Sequence, residues 1–265
     1  MEERNIVEEV QTKLDEIEKS KNVRILYSCE GGSQAWGFAS TNSDWDIRGI
    51  YVHPQDYYLD INVEDKSDTI EVPIEKDLDC SFWDLRKALK LLRKSNPSLL
   101  EHLHSPIVYR EVGTLCQELR EALVPLYNAK ASLYHFIHMA SGNYREYLHG
   151  SEVALKKYLY VLRPLLAVQY IEKGLGIVPV EFQKIIDSTL SAGSPLRIAI
   201  EELVARKRAG EELGKGNKIV VISEFINNEI ERHKNISFKG PERDGPSHAN
   251  NDELNRIFKK YIKET

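Results

Sequence analysis

The order in which two hydrophobic periodicities appear restricts the fold of this 265-residue chain more than any other feature. Up to about residue 110 there are short apolar runs of strand length; beyond it nearly every periodic segment repeats at helical spacing. In the first part, Ile6, Val10, Leu14 and Ile17 predict an amphipathic helix over 4–19, and the run Val23 to Ser28 has strand length. Asp44 to Val52 alternates as a strand does, and Thr69 to Cys80 reads as extended, with Pro73 marking an edge or a bulge. Ser81 and Asp84 have capping-box spacing ahead of a helix over 82–94 striped by Leu85, Leu89 and Leu92. Asn96-Pro97 stops that helix, and Ser98 to Leu103 starts another. Helical spacing then covers 111–123, 129–148, 151–173, 180–190, 195–209 and 217–233. Residues 239–251, rich in Gly, Pro, Asn and Ser, suit a loop or linker before a last amphipathic helix over 252–263. Strands first and helices afterwards favour an α+β fold, with a core on a short mixed sheet over 1–110 and a helical domain over 111–265.

Composition narrows the function classes. A net charge of −5 argues against a protein that coats nucleic acid by bulk electrostatics, though a local basic groove remains compatible with it. Cys29, Cys80 and Cys116 are far apart and lack a C-x-x-C spacing, which suits a reducing cytoplasm and gives no zinc signature. The charged N-terminal segment has no apolar core of a signal peptide, and no stretch approaches the ~20 apolar residues of a membrane span. A cytoplasmic protein is expected.

The chemistry concentrates in three carboxylates. Asp44 and Asp46 flank Trp45 on one expected strand, and period-two geometry turns both to the same face. Two neighbouring carboxylates repel unless a cation lies between them, so the pair suits a hard divalent ion. Asp77 and Asp79 form a second such pair; a strand carrying either beside Asp44 and Asp46 would bring together three carboxylates, enough for two Mg²⁺ ions against a nucleoside triphosphate. Upstream, Gly32-Ser33 sits between a strand and an expected helix start, where free amides and a hydroxyl suit phosphate and glycine permits close approach. The turn is no P-loop, and the Gly-Lys within 210–216 follows a helix and lacks the Ser/Thr, so it reads as a surface loop.

The stretch CEGGSQAWGFASTNSDWDIRGIYV closely resembles the signature of the YcgL-like nucleotidyltransferases of the DNA polymerase β superfamily, which include an RNA-repair-pathway polymerase-β-like group. The resemblance continues through DLDCSFWDLRKALKLLRKSNPSLLEHLHSPIVY and weakly into KKYLYVLRPLLA. It implies a polymerase-β-like core, with Gly32 and Ser33 as nucleotide-binding residues and Asp44, Asp46 and Asp79 as catalytic metal ligands. Asp79 is preferred to Asp77 because it keeps the family spacing to the following Leu-Arg-Lys. Gln34 stands where the pattern has arginine, and Gly49 is smaller than the residue expected there. Relatives in the superfamily hold the triphosphate tail on a basic helix of the second domain, which implies Lys157, Tyr160 and Arg163 as nucleotide-binding residues. Lys156, Tyr160 and Arg163 share one helical face, and Lys157 points off it.

The resemblance implies transfer of a nucleotide from an NTP such as ATP to a hydroxyl, an RNA end by analogy, with two Mg²⁺ ions (or Mn²⁺) and release of pyrophosphate. The helical domain would face the carboxylates across a cleft. Two rivals share the fold: an antitoxin-like protein adenylyltransferase and a non-catalytic nucleotide-binding module. Of the remaining features, the cations of helix 82–94 read as a solvated face or as the entrance for triphosphate or RNA, and Asn96 and Glu101 as local structural residues. Trp36 and Trp45 read as packing residues, and His102, His104, His135, His138 and His149 as ordinary polar residues.

Overall fold

The computed structural model describes residues 4–148, 150, 152–211, 213–234 and 248–264; His149 and residues 239–247 of the expected linker lie outside them. Contacts divide the chain into two compact units. The boundary expected at residue 110 falls inside a strand, and the first unit continues through Tyr127 and includes the last helix.

The first unit contains α1 (Ile6–Lys21), β1 (Arg24–Glu30), all but the last residue of the short α2 (Ser33–Trp36), β2 (Trp45–Val52), α3 (Gln55–Tyr58), β3 (Thr69–Glu75) and β4 (Leu78–Asp84). After these come α4 (Leu85–Arg93), α5 (Pro97–Leu103), β5 (Val108–Glu111) and α6 (Leu115–Leu123). The five strands form one sheet in the order β3-β4-β2-β1-β5. Only β2 and β4 pair in parallel; the other three pairings are antiparallel. α1 starts where Asn5 accepts the Glu8 amide and ends on Asn22 in the left-handed conformation (φ 49°). Its Val10, Leu14 and Ile17 pack on Ile25, Ile47 and Phe82 of the sheet.

Three expectations change here. The extended segment over Thr69–Cys80 is the hairpin β3–β4, turning at Lys76, whose φ is 58°. Asp77 therefore lies in a turn and not on a strand with Asp79. Next, β4 runs to Asp84, so the following helix starts at Leu85 and not at 82. Asp84 itself is the cap, accepting the Arg86 amide at 2.7 Å, while Ser81 donates to Glu71 at 2.8 Å. Last, Asn96-Pro97 initiates α5 more than it stops α4: the Asn96 side chain accepts the Leu99 amide at 3.2 Å and Pro97 holds the first turn.

Gly49 has a direct explanation. A Cβ there would meet the Tyr27 carbonyl oxygen at 2.2 Å and Phe82 Cδ1 at 2.8 Å, so the interior of the sheet admits no side chain at that position.

The second unit holds α7 (Ala129–Tyr147), β6 (Glu152–Ala154), α8 (Leu155–Glu172), α9 (Phe182–Thr189), α10 (Pro195–Arg208), β7 (Lys215–Asn217) and α11 (Val220–Lys234), with residues 36–43 packed among them. β6 and β7 form a small antiparallel ladder, so part of the surface loop expected over 210–216 is strand. α8 is apolar on nearly all sides, and residues 158–168 are buried apart from the half-buried Tyr160. The final helix α12 (His248–Lys263) belongs to the first unit and starts four residues earlier than expected. No helix among the described residues is long and apolar enough to cross a membrane.

Candidate active site

The site sits where β1 ends and β2 and β4 begin. Parallel register places Asp46 directly beside Asp79, with Trp45 beside Leu78 and Arg48 beside Ser81. Side chains of paired residues project from the same face, so the two carboxylates stand together. Asp77 is turned elsewhere, accepting from both terminal nitrogens of Arg4 at 2.6 Å. Of the two candidates on this hairpin, Asp79 joins the Asp46 strand and Asp77 serves the turn.

Arg48 ties the pair together. It lies two residues after Asp46 on the same face, and its Nη2 donates to Asp46 Oδ1 and to Asp79 Oδ2, each at 2.8 Å. Its Nη1 donates to the Asp79 carbonyl at 2.7 Å. Burial pushes the Asp46 carboxyl up; Arg48 opposes that shift, while the charges of Asp79 and Asp44 add to it. For Arg48, burial disfavours the cation, but the bond to Asp79 and the two carboxylate charges outweigh it, and its pKa rises.

Asp44 precedes β2 and is exposed. Among the described residues no group of three or more His, Cys, Asp or Glu side chains is placed to hold a metal ion. The structure thus brings together two of the three expected carboxylates, held by a guanidinium. One cationic nitrogen already bridges Asp46 and Asp79, so this donor pair fits a small cation.

The glycine loop closes over the same carboxylate. A Cβ on Gly32 would lie 1.7 Å from Asp46 Oδ2, and one on Gly31 would lie 2.5 Å from Arg48 Cγ. Both glycines are required by close approach. Ser33 is buried and begins α2.

Glu30 fixes this loop, a role not anticipated from the sequence. It is fully buried, and its Oε1 accepts the Asp46 amide at 2.9 Å and the Gly32 amide at 3.4 Å. Its Oε2 accepts the Tyr109 hydroxyl at 3.0 Å. Burial pushes the Glu30 carboxyl up, against the bonds from Asp46, Tyr109 and Gly32. The Gly31 amide donates to the Asp46 carbonyl at 2.8 Å. One carboxylate and one backbone bond thus lock the Gly-Gly-Ser turn to the start of β2. His102, buried near Gly31 and tilted against the Trp83 ring at 4.9 Å, is held neutral by burial and by Arg48, its pKa pushed down to about 3.

The three residues expected on the helical domain lie within the second unit. The Lys157 ammonium sits 4.1 Å from the centre of the Tyr147 ring and 4.9 Å from that of Tyr160. Tyr160 meets Trp36 edge-on at 5.8 Å. Arg163 is 3% exposed, lies 4.7 Å over the Trp36 ring and donates from Nη2 to the Val180 carbonyl at 3.1 Å. It belongs to the interior of α8 and not to an exposed basic edge. Trp36 and Trp45 both pack partly buried against the core of their own unit.

The model of the RNA repair pathway DNA polymerase beta family matches residues 6–260. The chain belongs to that family. It is also 45% identical, over 253 residues covering 95% of this chain and 94% of the relative, to the uncharacterized protein YcgL of Bacillus subtilis (strain 168). The five-stranded mixed sheet with its helices is the α+β, polymerase-β-like fold expected of the family.

Proposed function

We propose that this family member is a divalent-metal-dependent nucleotidyltransferase that moves a nucleotide from an NTP to a hydroxyl at an RNA end. The observation that carries the proposal is the pairing of Asp46 with Asp79 on adjacent parallel strands, with the Gly32 backbone against the Asp46 carboxylate. Mg²⁺, or Mn²⁺, would be held by Asp46 and Asp79, with the exposed Asp44, just ahead of β2, as the third ligand. When bound, the metal supplies charge stabilisation for the phosphoryl oxygens and the acceptor oxygen.

The chain's own residues do the rest. Gly31 and Gly32 let the loop backbone lie against the Arg48 and Asp46 side chains, and Ser33 follows them at the start of α2. Glu30 fixes the Gly32 and Asp46 amides, so the loop and the carboxylate keep one spacing. Arg48 offsets the repulsion of the pair by bonding both carboxylates. In the transfer the acceptor oxygen bonds to the α-phosphorus as the bond to the bridging oxygen breaks. Pyrophosphate leaves, and the hydroxyl proton passes to a carboxylate of the pair. RNA is favoured as acceptor by the family's association with RNA repair.

The test is incubation of the purified protein with each α-labelled NTP and Mg²⁺, once with RNA bearing free 3′ hydroxyls and once with a protein extract. Label in RNA is expected. Label in protein alone would make protein the acceptor, and label in neither would overturn the proposal.

A further inference from the structure

The face of α4 that points away from the sheet carries Arg86, Lys90 and Arg93 at i, i+4 and i+7, a single stripe of cations. Opposite it, α12 presents Asn251, Leu254, Asn255 and Phe258 at i, i+3, i+4 and i+7. Between the two stripes lies a cavity of about 380 Å³, and both walls belong to the first unit. Ligand pockets run from about 300 to 1,000 Å³, so this one has room for a mononucleotide unit and little more.

We propose that this groove docks single-stranded RNA, seating one nucleotide with its base on Phe258 and its phosphates on Arg93, Lys90 and Arg86; the choice of RNA among nucleic acids rests on the acceptor proposed above. Three observations carry it. Cations line one wall although the chain is acidic overall, so the positive charge is local. Their compensation is uneven: Lys90 and Arg86 share Glu64, at 3.3 and 3.1 Å, a carboxylate that is 71% exposed, and the largely buried Arg86 also donates to the Val63 carbonyl at 3.2 Å. The exposed Lys90–Glu64 pair is weak, so phosphate can replace Glu64 there at little cost. Arg93 is exposed, and its one hydrogen bond among the described residues is to the Asn251 side-chain oxygen, at 3.4 Å.

The second wall has the chemistry of a base site. Leu89, Leu254 and Phe258 form an apolar floor, and the Phe258 ring is held by an edge contact with Tyr58 at 5.1 Å. A fixed, half-exposed aromatic ring is a stacking platform for any base. The amides of Asn251 and Asn255 can donate to and accept from base edges. An acidic peptide would engage the cations equally well but has no flat group for the ring, so RNA is the better match.

The experiment is fluorescence anisotropy of a short, unstructured, labelled RNA with the full chain in EDTA and without NTP, as a function of salt. Binding that weakens with salt is expected. Arg93→Glu, at an exposed position, is expected to weaken it about tenfold or more and to flatten the salt dependence by about one phosphate contact. Phe258→Ala is expected to weaken it at least about fivefold with the salt slope unchanged. If Phe258→Ala fails to fold, Asn255→Lys, at an exposed site on the same wall, is expected to tighten binding. Wild-type binding that none of these variants alters would overturn the groove, as would displacement by poly-glutamate but not by AMP or RNA. Metal and NTP are absent, so a failed catalytic proposal shows as intact groove binding without labelled RNA. Labelled RNA with no effect of the groove variants would overturn the groove alone.

Discussion

Gly32→Ala offers the sharpest test of how tightly the loop and the carboxylate are fitted. The new methyl would begin 1.7 Å from Asp46 Oδ2, 2.4 Å from its Cγ and 2.8 Å from its Cβ. To reach an ordinary carbon–oxygen separation of about 3.3 Å, the carboxylate or the loop must retreat by roughly 1.6 Å. Neither moves easily, because the Gly32 and Asp46 amides share Glu30 and the Gly31 amide is bonded to the Asp46 carbonyl. Overpacking of this kind costs about 1–3 kcal/mol, a fall in melting temperature of several degrees and not loss of the fold. A misplacement of about 1 Å at a reacting centre costs about 100-fold in rate, so activity should fall at least that far. Thermal melting and turnover of α-labelled NTP measure the two effects on one preparation. A variant that keeps activity within twofold of wild type would refute the claim that Asp46 and the Gly32 backbone form the site.

Other positions test separate parts of the account. Glu30 is buried with a raised pKa, so the stabilising contribution of its neutral form is present at acid pH and is lost as pH rises through the raised value. Glu30→Gln removes that dependence: urea melts from pH 4 upward should show the variant gaining on wild type as pH rises, and a constant difference would contradict the sign. Arg48→Gln leaves Asp46 and Asp79 facing each other without their counter-ion, so the metal-free protein should melt lower and Mg²⁺ should raise its melting temperature more than it does for wild type. An equal Mg²⁺ shift in both would show that Arg48 does not act on the pair. Arg163→Met should destabilise the second unit by about 1–3 kcal/mol in denaturant titration, since the Val180 carbonyl loses a buried donor; an unchanged midpoint would put Arg163 outside the core.

The elements most legible in the sequence are those with local signals. Asn5 and Ser194 cap helices close to where periodicity places them, and Asp46 and Asp79 lie at the starts of β2 and β4, with Gly32 in the turn after β1. Long-range effects were not legible. Nothing local marks Glu30 as the residue that ties loop to strand, because its partner Tyr109 is 79 residues away. The turn at Lys76 uses a non-glycine residue at positive φ, so the usual glycine signal for a hairpin is missing. Arg48 could have been found: it is the next same-face residue after Asp46, and a cation beside a carboxylate pair is its natural counter-ion. Arg163 misled for the opposite reason. Helical spacing sets it in line with Lys156 and Tyr160, but α8 is buried around most of its circumference, which only packing reveals.

The most direct measurement is pyrophosphate release from NTP by the wild-type protein, by Asp46→Asn and by Asp79→Asn, with and without Mg²⁺. The account predicts Mg²⁺-dependent release by wild type, equal in amount to the nucleotide transferred. It predicts loss of at least about 100-fold in each variant, because each substitution removes a charged group from the reacting centre. Release that persists without divalent metal, or that survives either substitution, would contradict the assignment of Asp46 and Asp79 as the catalytic pair.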